Sequence, residues 1–367
     1  WNRYPGARFD SESYSYGYSF SKELLEESYW TEQFSPQPET ERYLNFVADK
    51  FDLRRHIQFS ARVATAHYDE VGLYWDITLD DGQCYGSRFL VTAVGPLSAP
   101  TMPNIDGVDD FKGEAYHTGL WPKENVSFEG KRVAVIGTGA AAIQTIQEVA
   151  KTVGHMTVFQ RRPNWTTPLQ NRKIGKAEMQ EIRENYDEIF RRCAESSSCF
   201  LHTPDPRKTF DVPEDERRAF WNQQFNAPGF AMWIGGFSDM LMDRAANDAV
   251  SEFVAEKIRE RVDDRKVAEM LTPKDHGFGT RRVPQETLYY EAFNQPNVEL
   301  VSILETPIER ITETGIETSD RTFEFDMIIY ATGFDAITGS FDRIDIRGVE
   351  GESLKDKWRQ ALETFLG

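Results

Sequence analysis

The chain has 367 residues, enough for two or three domains with sizeable cores, at 40% hydrophobic and 28% charged content. Its 42 basic against 60 acidic residues leave a net charge of −18, which argues against nucleic acid or an anionic membrane as the main partner. No run approaches eighteen apolar residues, Cys84, Cys193 and Cys199 lack CxxC spacing and the six histidines stand singly, so no membrane span and no metal site are expected, and the setting is read as a reducing cytoplasm.

In chain order, the opening WNRYPGARFD, Trp1 to Asp10, starts without methionine and reads as a chain already in progress, so an internal fragment is expected. Helical periodicity covers 38–51, where Tyr43, Phe46, Val47 and Phe51 share a face. Short strands are predicted at 57–59, 73–79 and 88–92, with Asp80-Asp81-Gly82 as a hairpin signal, and 98–103 reads as a linker. A βαβ unit follows over 131–160: a buried strand at 133–136, a glycine turn at 137–142, a helix over 140–153 and a second strand at 156–159. Residues 166–277 lack any strand signature and read as a helical insertion packed on the dinucleotide domain. One helix carries Met179, Ile182, Tyr186, Ile189, Phe190 and Cys193; another carries Val250, Phe253, Val254, Ile258 and Val262. Strands resume at 298–301, 308–314 and 322–330.

The turn GTGAAA fits GxGxx(G/A) between two strands. Gly137 permits the tight turn, Gly139 lets phosphate approach the backbone, and Ala142 allows close helix–strand packing. A pyrophosphate would then sit on the helix N-terminus, with Thr138 and Gln144 in the same cofactor-binding set. The second strand ends in Gln160-Arg161-Arg162-Pro163, with two guanidinium groups where an NAD-binding fold places a carboxylate. Arginine matches a 2′-phosphate, so Arg161 and Arg162 predict NADP over NAD.

About fifteen residues before that turn stands FKGEAYHTGLWP. Its FxGxxxHTxxWP pattern, carried by Phe111, Gly113, His117, Thr118 and Trp121, resembles the fingerprint of Baeyer–Villiger monooxygenases, flavoenzymes that insert one oxygen atom of O2 beside a ketone carbonyl. The resemblance implies an α/β fold with two dinucleotide-binding domains: a Rossmann-like NADP domain, a partial FAD domain and the helical insertion. It also implies that the fingerprint is an interdomain hinge and takes no part in bond making. The opening block is similar to a second motif of the family and makes Asp10 the carboxylate beside the flavin; Tyr16 and Val63 resemble positions passing close to FAD. Gly279-Thr280-Arg281-Arg282 resembles the family's FGT(K/R)R segment, which implies Arg282 as the catalytic arginine and Arg281 as a reader of the NADP 2′-phosphate. A permanently charged guanidinium can stabilise a peroxyflavin anion without protonating it.

The expected division is 1–98 partial FAD domain, 99–165 NADP domain, 166–277 insertion, 278–334 second NADP segment and 335–367 return to the FAD domain. The expected partners are a ketone and O2, with FAD and NADPH as cofactors, in a monomer. As a fragment, the stretch is not expected to hold FAD tightly or to catalyse oxygenation by itself. A flavin N- or S-oxygenase, or a non-catalytic NADP-binding module, are the competing readings.

Overall fold

The computed structural model describes residues 2–364; Trp1 of the opening block and the last three residues of the expected return segment lie outside the described residues. The first part of the chain forms α1 (Lys22–Glu27), α2 (Gln37–Lys50), β1 (Val63–Asp69), β2 (Tyr74–Leu79), β3 (Cys84–Ser87), β4 (Glu114–His117), β5 (Arg132–Ile136), α3 (Ala140–Val149), β6 (His155–Gln160) and β7 (Thr167–Pro168). Six helices follow or flank one short strand: α4 (Lys176–Glu184), α5 (Tyr186–Glu195), α6 (Glu214–Phe225), α7 (Ala231–Ile234), α8 (Arg244–Arg261), α9 (Arg265–Leu271) and β8 (Gln285–Glu286). The chain closes with α10 (Tyr289–Ala292), β9 (Val298–Ser302), β10 (Ile308–Thr312), β11 (Gly315–Thr318), β12 (Thr322–Glu324), β13 (Met327–Tyr330), β14 (Asp345–Arg347) and α11 (Leu354–Gln360).

Two compact units result. The first contains the chain up to Val47 together with Met102–Thr332; the second contains Ala48–Thr101 and the chain from Gly333 onward. Residues 2–47, expected with the flavin piece, therefore pack with the dinucleotide unit. The chain changes units at 101/102 and 332/333, where the sequence predicts boundaries at 98/99 and 334/335.

In the first unit, five parallel strands run in the order β4-β13-β5-β6-β9. Their apolar runs are what a parallel sheet covered on both faces requires. Alternate residues of β5 serve the two faces: Val133 and Val135 join α3, α8 and α10 in one core. Ala134 and Ile136 join Phe159 and the β10–β12 sheet in another. The expected strand over 308–314 ends at Thr312 and turns through Gly315 into β11, while the expected strand over 322–330 divides into β12 and β13. The helix carrying Met179 and Cys193 breaks at Asn185, which leaves the helical region between α4 and α5. These two helices pack on α1 and α2 through Leu24, Trp30, Tyr43, Met179 and Tyr186.

In the second unit, the sheet order is β14-β1-β2-β3, with β1–β2–β3 antiparallel and β14 parallel to β1. Gly82, at φ +85°, turns β2 into β3. That tight turn pairs Thr78 with Cys84, so the partner strand starts at once and ends at Ser87. The strands expected at 57–59 and 88–92 do not form: Ile57, Phe59, Phe89 and Val91 are exposed and lie outside the ladder.

Candidate active site

The glycine turn departs from β5 under two constraints. Gly137 sits at φ +115°, and a Cβ there would lie 2.5 Å from the Ala331 carbonyl oxygen. Its N–H donates to Phe159 O at 3.0 Å, closing the turn against β6. At Gly139, the residue that caps α3, a Cβ would meet nothing within 4 Å. No side chain caps α3, and its first turn carries no acid. Free N–H donors, open space and a positive dipole end are what a pyrophosphate needs, so the residues present fit the phosphates of a dinucleotide. Thr138 faces the other way: its hydroxyl donates to Arg162 O at 2.8 Å and ties the turn to the end of β6.

The basic residues beyond β6 divide. Arg162 Nη1 and Arg281 Nη2 each lie 3.3 Å from Asp275 Oδ2. Arg161 stays exposed beside them, outside this pairing. Asp275 Oδ1 holds His276 Nδ1 at 2.7 Å, and that hydrogen bond, followed by the charges of His276 and Arg281, keeps the Asp275 carboxyl below the ordinary aspartate range. Sequence reasoning missed Asp275, because one more acid in so acidic a chain carries no signal.

Arg282 turns to a different acid. Its Nη2 donates to both oxygens of Asp10, at 2.7 and 2.8 Å, and its guanidinium lies 5.6 Å over the Phe230 ring. Arg282 is 53% exposed at the side chain and Asp10 only 13%. Burial pushes the Asp10 carboxyl up, and Arg282 opposes this through charge and hydrogen bond. Because Nη2 alone holds Asp10, Nη1 and Nε of Arg282 make no hydrogen bond among the described residues and remain available.

The loop carrying Asp10 is clamped to α3. Gln144, expected in the cofactor-binding set, accepts from Tyr4 OH at 2.9 Å and donates to Arg8 O at 3.2 Å. A long buried amide on the loop side of α3 serves the loop before it can serve a ligand. Gly6, at φ +78°, lies so close that a Cβ would overlap the Gln144 carbonyl oxygen. Burial, then the nearby Asp10 charge, pushes the Tyr4 phenol up to about 12. Arg282 is anchored from downstream. Thr167 pairs with Gln285 across β7–β8, and the fully buried Glu286 takes Arg261 Nη1 and Nη2 at 2.7 and 3.0 Å. Tyr16 is stacked on Phe9 with ring centroids 4.4 Å apart, and its hydroxyl accepts from Ser11. Val63, on β1 in the second unit, pairs with Leu79 of β2.

The fingerprint forms the sheet edge. Residues 114–117 are β4, paired with β13. Phe111 is half-buried against the β10–β12 core, and a Cβ on Gly113 would meet that ring at 2.5 Å. His117 is buried; its Nδ1 accepts from Gly119 N–H at 3.0 Å, and its Nε2 lies 3.3 Å from Thr332 Oγ1. Thr118 is fully buried, and Trp121 packs on Tyr116 with centroids 5.2 Å apart. His117 thus touches the last residue of the first unit at its second chain crossing. The aromatic stretch 226–237 is largely core: Phe230, Met232 and Phe237 are buried, and Trp233 Nε1 donates to Gly279 O at 3.2 Å. Among the described residues no helix is long and apolar enough to cross a membrane.

A phosphate-ready glycine turn, with arginines on the segment that returns to it, defines a dinucleotide-binding protein. The model of the flavin-binding monooxygenase-like family matches residues 15–176. The 2-oxo-Δ3-4,5,5-trimethylcyclopentenylacetyl-CoA monooxygenase of Pseudomonas putida is 48% identical over all of this chain and 68% of its own length. The acetone monooxygenase of Gordonia sp. is 41% identical over all of this chain and 69% of its own. A crystal structure of OTEMO in complex with FAD and NADP superposes at a TM-score of 0.98, with 48% identity, over all of this chain and 70% of that one. The chain belongs to the Baeyer–Villiger monooxygenase family of flavin-binding monooxygenases.

Proposed function

We propose that the protein is an FAD- and NADPH-dependent Baeyer–Villiger monooxygenase that converts a bulky cyclic ketone and O2 into a lactone. The observation that carries this reading is the Arg282–Asp10 pair: a half-exposed guanidinium fixed by one nitrogen on a buried carboxylate, with its other donors left unused among the described residues. FAD, reduced by NADPH, supplies the activated oxygen; the residues of this chain supply aim and charge. The Arg282 guanidinium meets the negative charge that develops on the ketone oxygen. Asp10 fixes the rotamer of Arg282, and the Tyr4–Gln144 hydrogen bond fixes the loop that carries Asp10. The buried Phe230 ring, with Trp233 edge-on to it at 5.3 Å, backs the guanidinium from the core side and helps to hold its aim.

Gly137, Gly139 and the start of α3 hold the pyrophosphate, Ala142 keeps α3 tight on the sheet, and Arg161, Arg162 and Arg281 select the 2′-phosphate. Tyr16 and Val63 keep the flavin assignments that the resemblance implies, and His117, Thr118 and Trp121 the hinge assignment. The division into an FAD piece, an NADP domain and a helical insertion is proposed with the unit changes at 101/102 and 332/333 as its supports. The three free thiols and the acidic composition support a cytoplasmic monomer.

The test is Arg282→Ala in the flavin-loaded protein, with lactone yield and NADPH oxidation measured in parallel on cyclic ketones. Lactone formation is expected to vanish while NADPH oxidation persists. A variant that still makes lactone at the parent rate overturns the reading; a protein that oxidises sulfides but never ketones is an S-oxygenase.

A further inference from the structure

We propose that Asp275 is a built-in competitor for the cofactor's 2′-phosphate and so sets how strongly the enzyme separates NADPH from NADH. The proposal rests on the NADP reading above and extends it to a residue with no motif of its own.

The two guanidinium groups offered to the 2′-phosphate are not waiting free. Arg162 Nη1 and Arg281 Nη2 converge on a single oxygen, Asp275 Oδ2, at 3.3 Å each. The carboxylate is built into place. Its other oxygen holds His276 Nδ1 at 2.7 Å, and the His276 side chain is only 6% exposed. An ionised carboxylate only accepts, so Nδ1 donates. Among the described residues His276 Nε2 has no hydrogen-bond partner, so the ring's one polar contact is the one to Asp275. The Trp165 indole N–H in turn donates to His276 O at 3.0 Å, and Trp165 is buried. A line of contacts from Trp165 through His276 to Asp275 therefore holds one negative charge against two positive ones.

This arrangement has two opposing effects. It keeps Arg162 and Arg281 together when the site holds no phosphate, which prepares them for a bidentate anion. It also sets a carboxylate beside the place where a phosphate dianion must go, and like charges at such range repel. The second effect dominates, because the aspartate side chain is one-third exposed and fixed by His276, so its charge cannot be moved far when the phosphate arrives. A dinucleotide without a 2′-phosphate leaves the Asp275 pairing intact and escapes the competition. Asp275 therefore lowers affinity for NADPH selectively and narrows the gap to NADH.

The probe is 2′,5′-ADP, which carries the 2′-phosphate without the nicotinamide, titrated calorimetrically against the flavin-loaded protein with 5′-ADP as reference. Asp275→Asn keeps the shape and the contact to His276 but removes the charge. It is expected to tighten 2′,5′-ADP about tenfold while leaving 5′-ADP unchanged. Asp275→Ser is expected to shift in the same direction by less and serves if the first variant folds poorly by circular dichroism. If the parent discriminates 2′,5′-ADP from 5′-ADP but neither variant binds it more tightly, the competitor role is wrong and the NADP reading stands. If the parent does not discriminate at all, both fall.

Discussion

Arg281 and Arg282 are neighbours with the same charge and nearly the same exposure, yet they face two carboxylates in different surroundings. Arg282 meets Asp10, whose carboxyl burial drives up against the pull of the guanidinium. Arg281 shares Asp275 with Arg162, and that carboxyl is held down, first by His276. The contrast teaches that the counter-ion decides what an arginine is for. A buried acid on a clamped loop turns a flexible side chain into an aimed charge. A partly exposed acid shared by two arginines makes an anion site with an occupant that a ligand can displace.

The sharpest way to break the contrast is Arg282→Lys, which keeps the charge but loses the fork. Lactone formation in steady-state assays is expected to fall on the order of 10²–10³-fold. An activity near that of the parent protein means that charge alone suffices and the geometry at Asp10 is incidental. Next in size is Glu286→Ala, which takes the buried carboxylate from Arg261 and leaves that guanidinium to Glu291 alone, next to the segment that carries both arginines. A loss of about 3–5 kcal/mol in urea unfolding is expected, and one below about 1 kcal/mol removes β8 as the anchor. Gly6→Ala places a Cβ at φ +78° onto the Gln144 carbonyl. Thermal and chemical unfolding should show roughly 2–3 kcal/mol lost, with activity falling through Asp10.

On the Asp275 side, Arg281→Ala should cut the NADPH-over-NADH preference about tenfold in kcat/KM and leave kcat with saturating NADPH little changed. Equal losses with both cofactors would make Arg281 structural. The smallest effect is in pH. The folded Asp10 carboxyl titrates above its ordinary value, so the folded state binds the proton more tightly. Its contribution to stability therefore falls as pH rises from the unfolded value near 4 through the folded one, by about 1.4 kcal/mol for each pH unit spanned. The parent protein, measured against Asp10→Asn, should lose relative stability across that window and run parallel to it above; a constant difference throughout contradicts the shift.

Much of this was legible in the sequence where local chemistry decides local form. The unbroken apolar run at 133–136 and the glycines at 137 and 139 announce a parallel strand and a phosphate turn, because few other structures tolerate both. Arg282 and Asp10, 272 residues apart, were legible only through the resemblance; no periodicity links them. The second unit misled for a physical reason. Ile57, Phe59, Phe89 and Val91 have strand-like composition but find no partner in the ladder, whereas β1 contains two alanines and a histidine yet lies between β14 and β2. Strand formation follows the neighbour as much as the side chain. The contacts of Gln144 with Tyr4 and Arg8 were not legible, because its position in the motif does not say which side of α3 the loop occupies. Asp275 left no trace, since its meaning lies in three residues that fold against it.

The adjacency of Arg281 and Arg282 has an evolutionary consequence. Only two residues, Val283 and Pro284, separate Arg282 from β8, whose register is set by Thr167 opposite Gln285. Substitutions in this stretch alter one contact at a time. Loss of a single codon here would move Arg281 into the place of Arg282, and gain of one would move Arg282 into the place of Arg281, so that the cofactor site and the aimed charge would be rewritten in one event. Lineages carrying this arrangement should accept changes of letter between α9 and β8 far more readily than a change in the count of residues between Arg282 and Gln285.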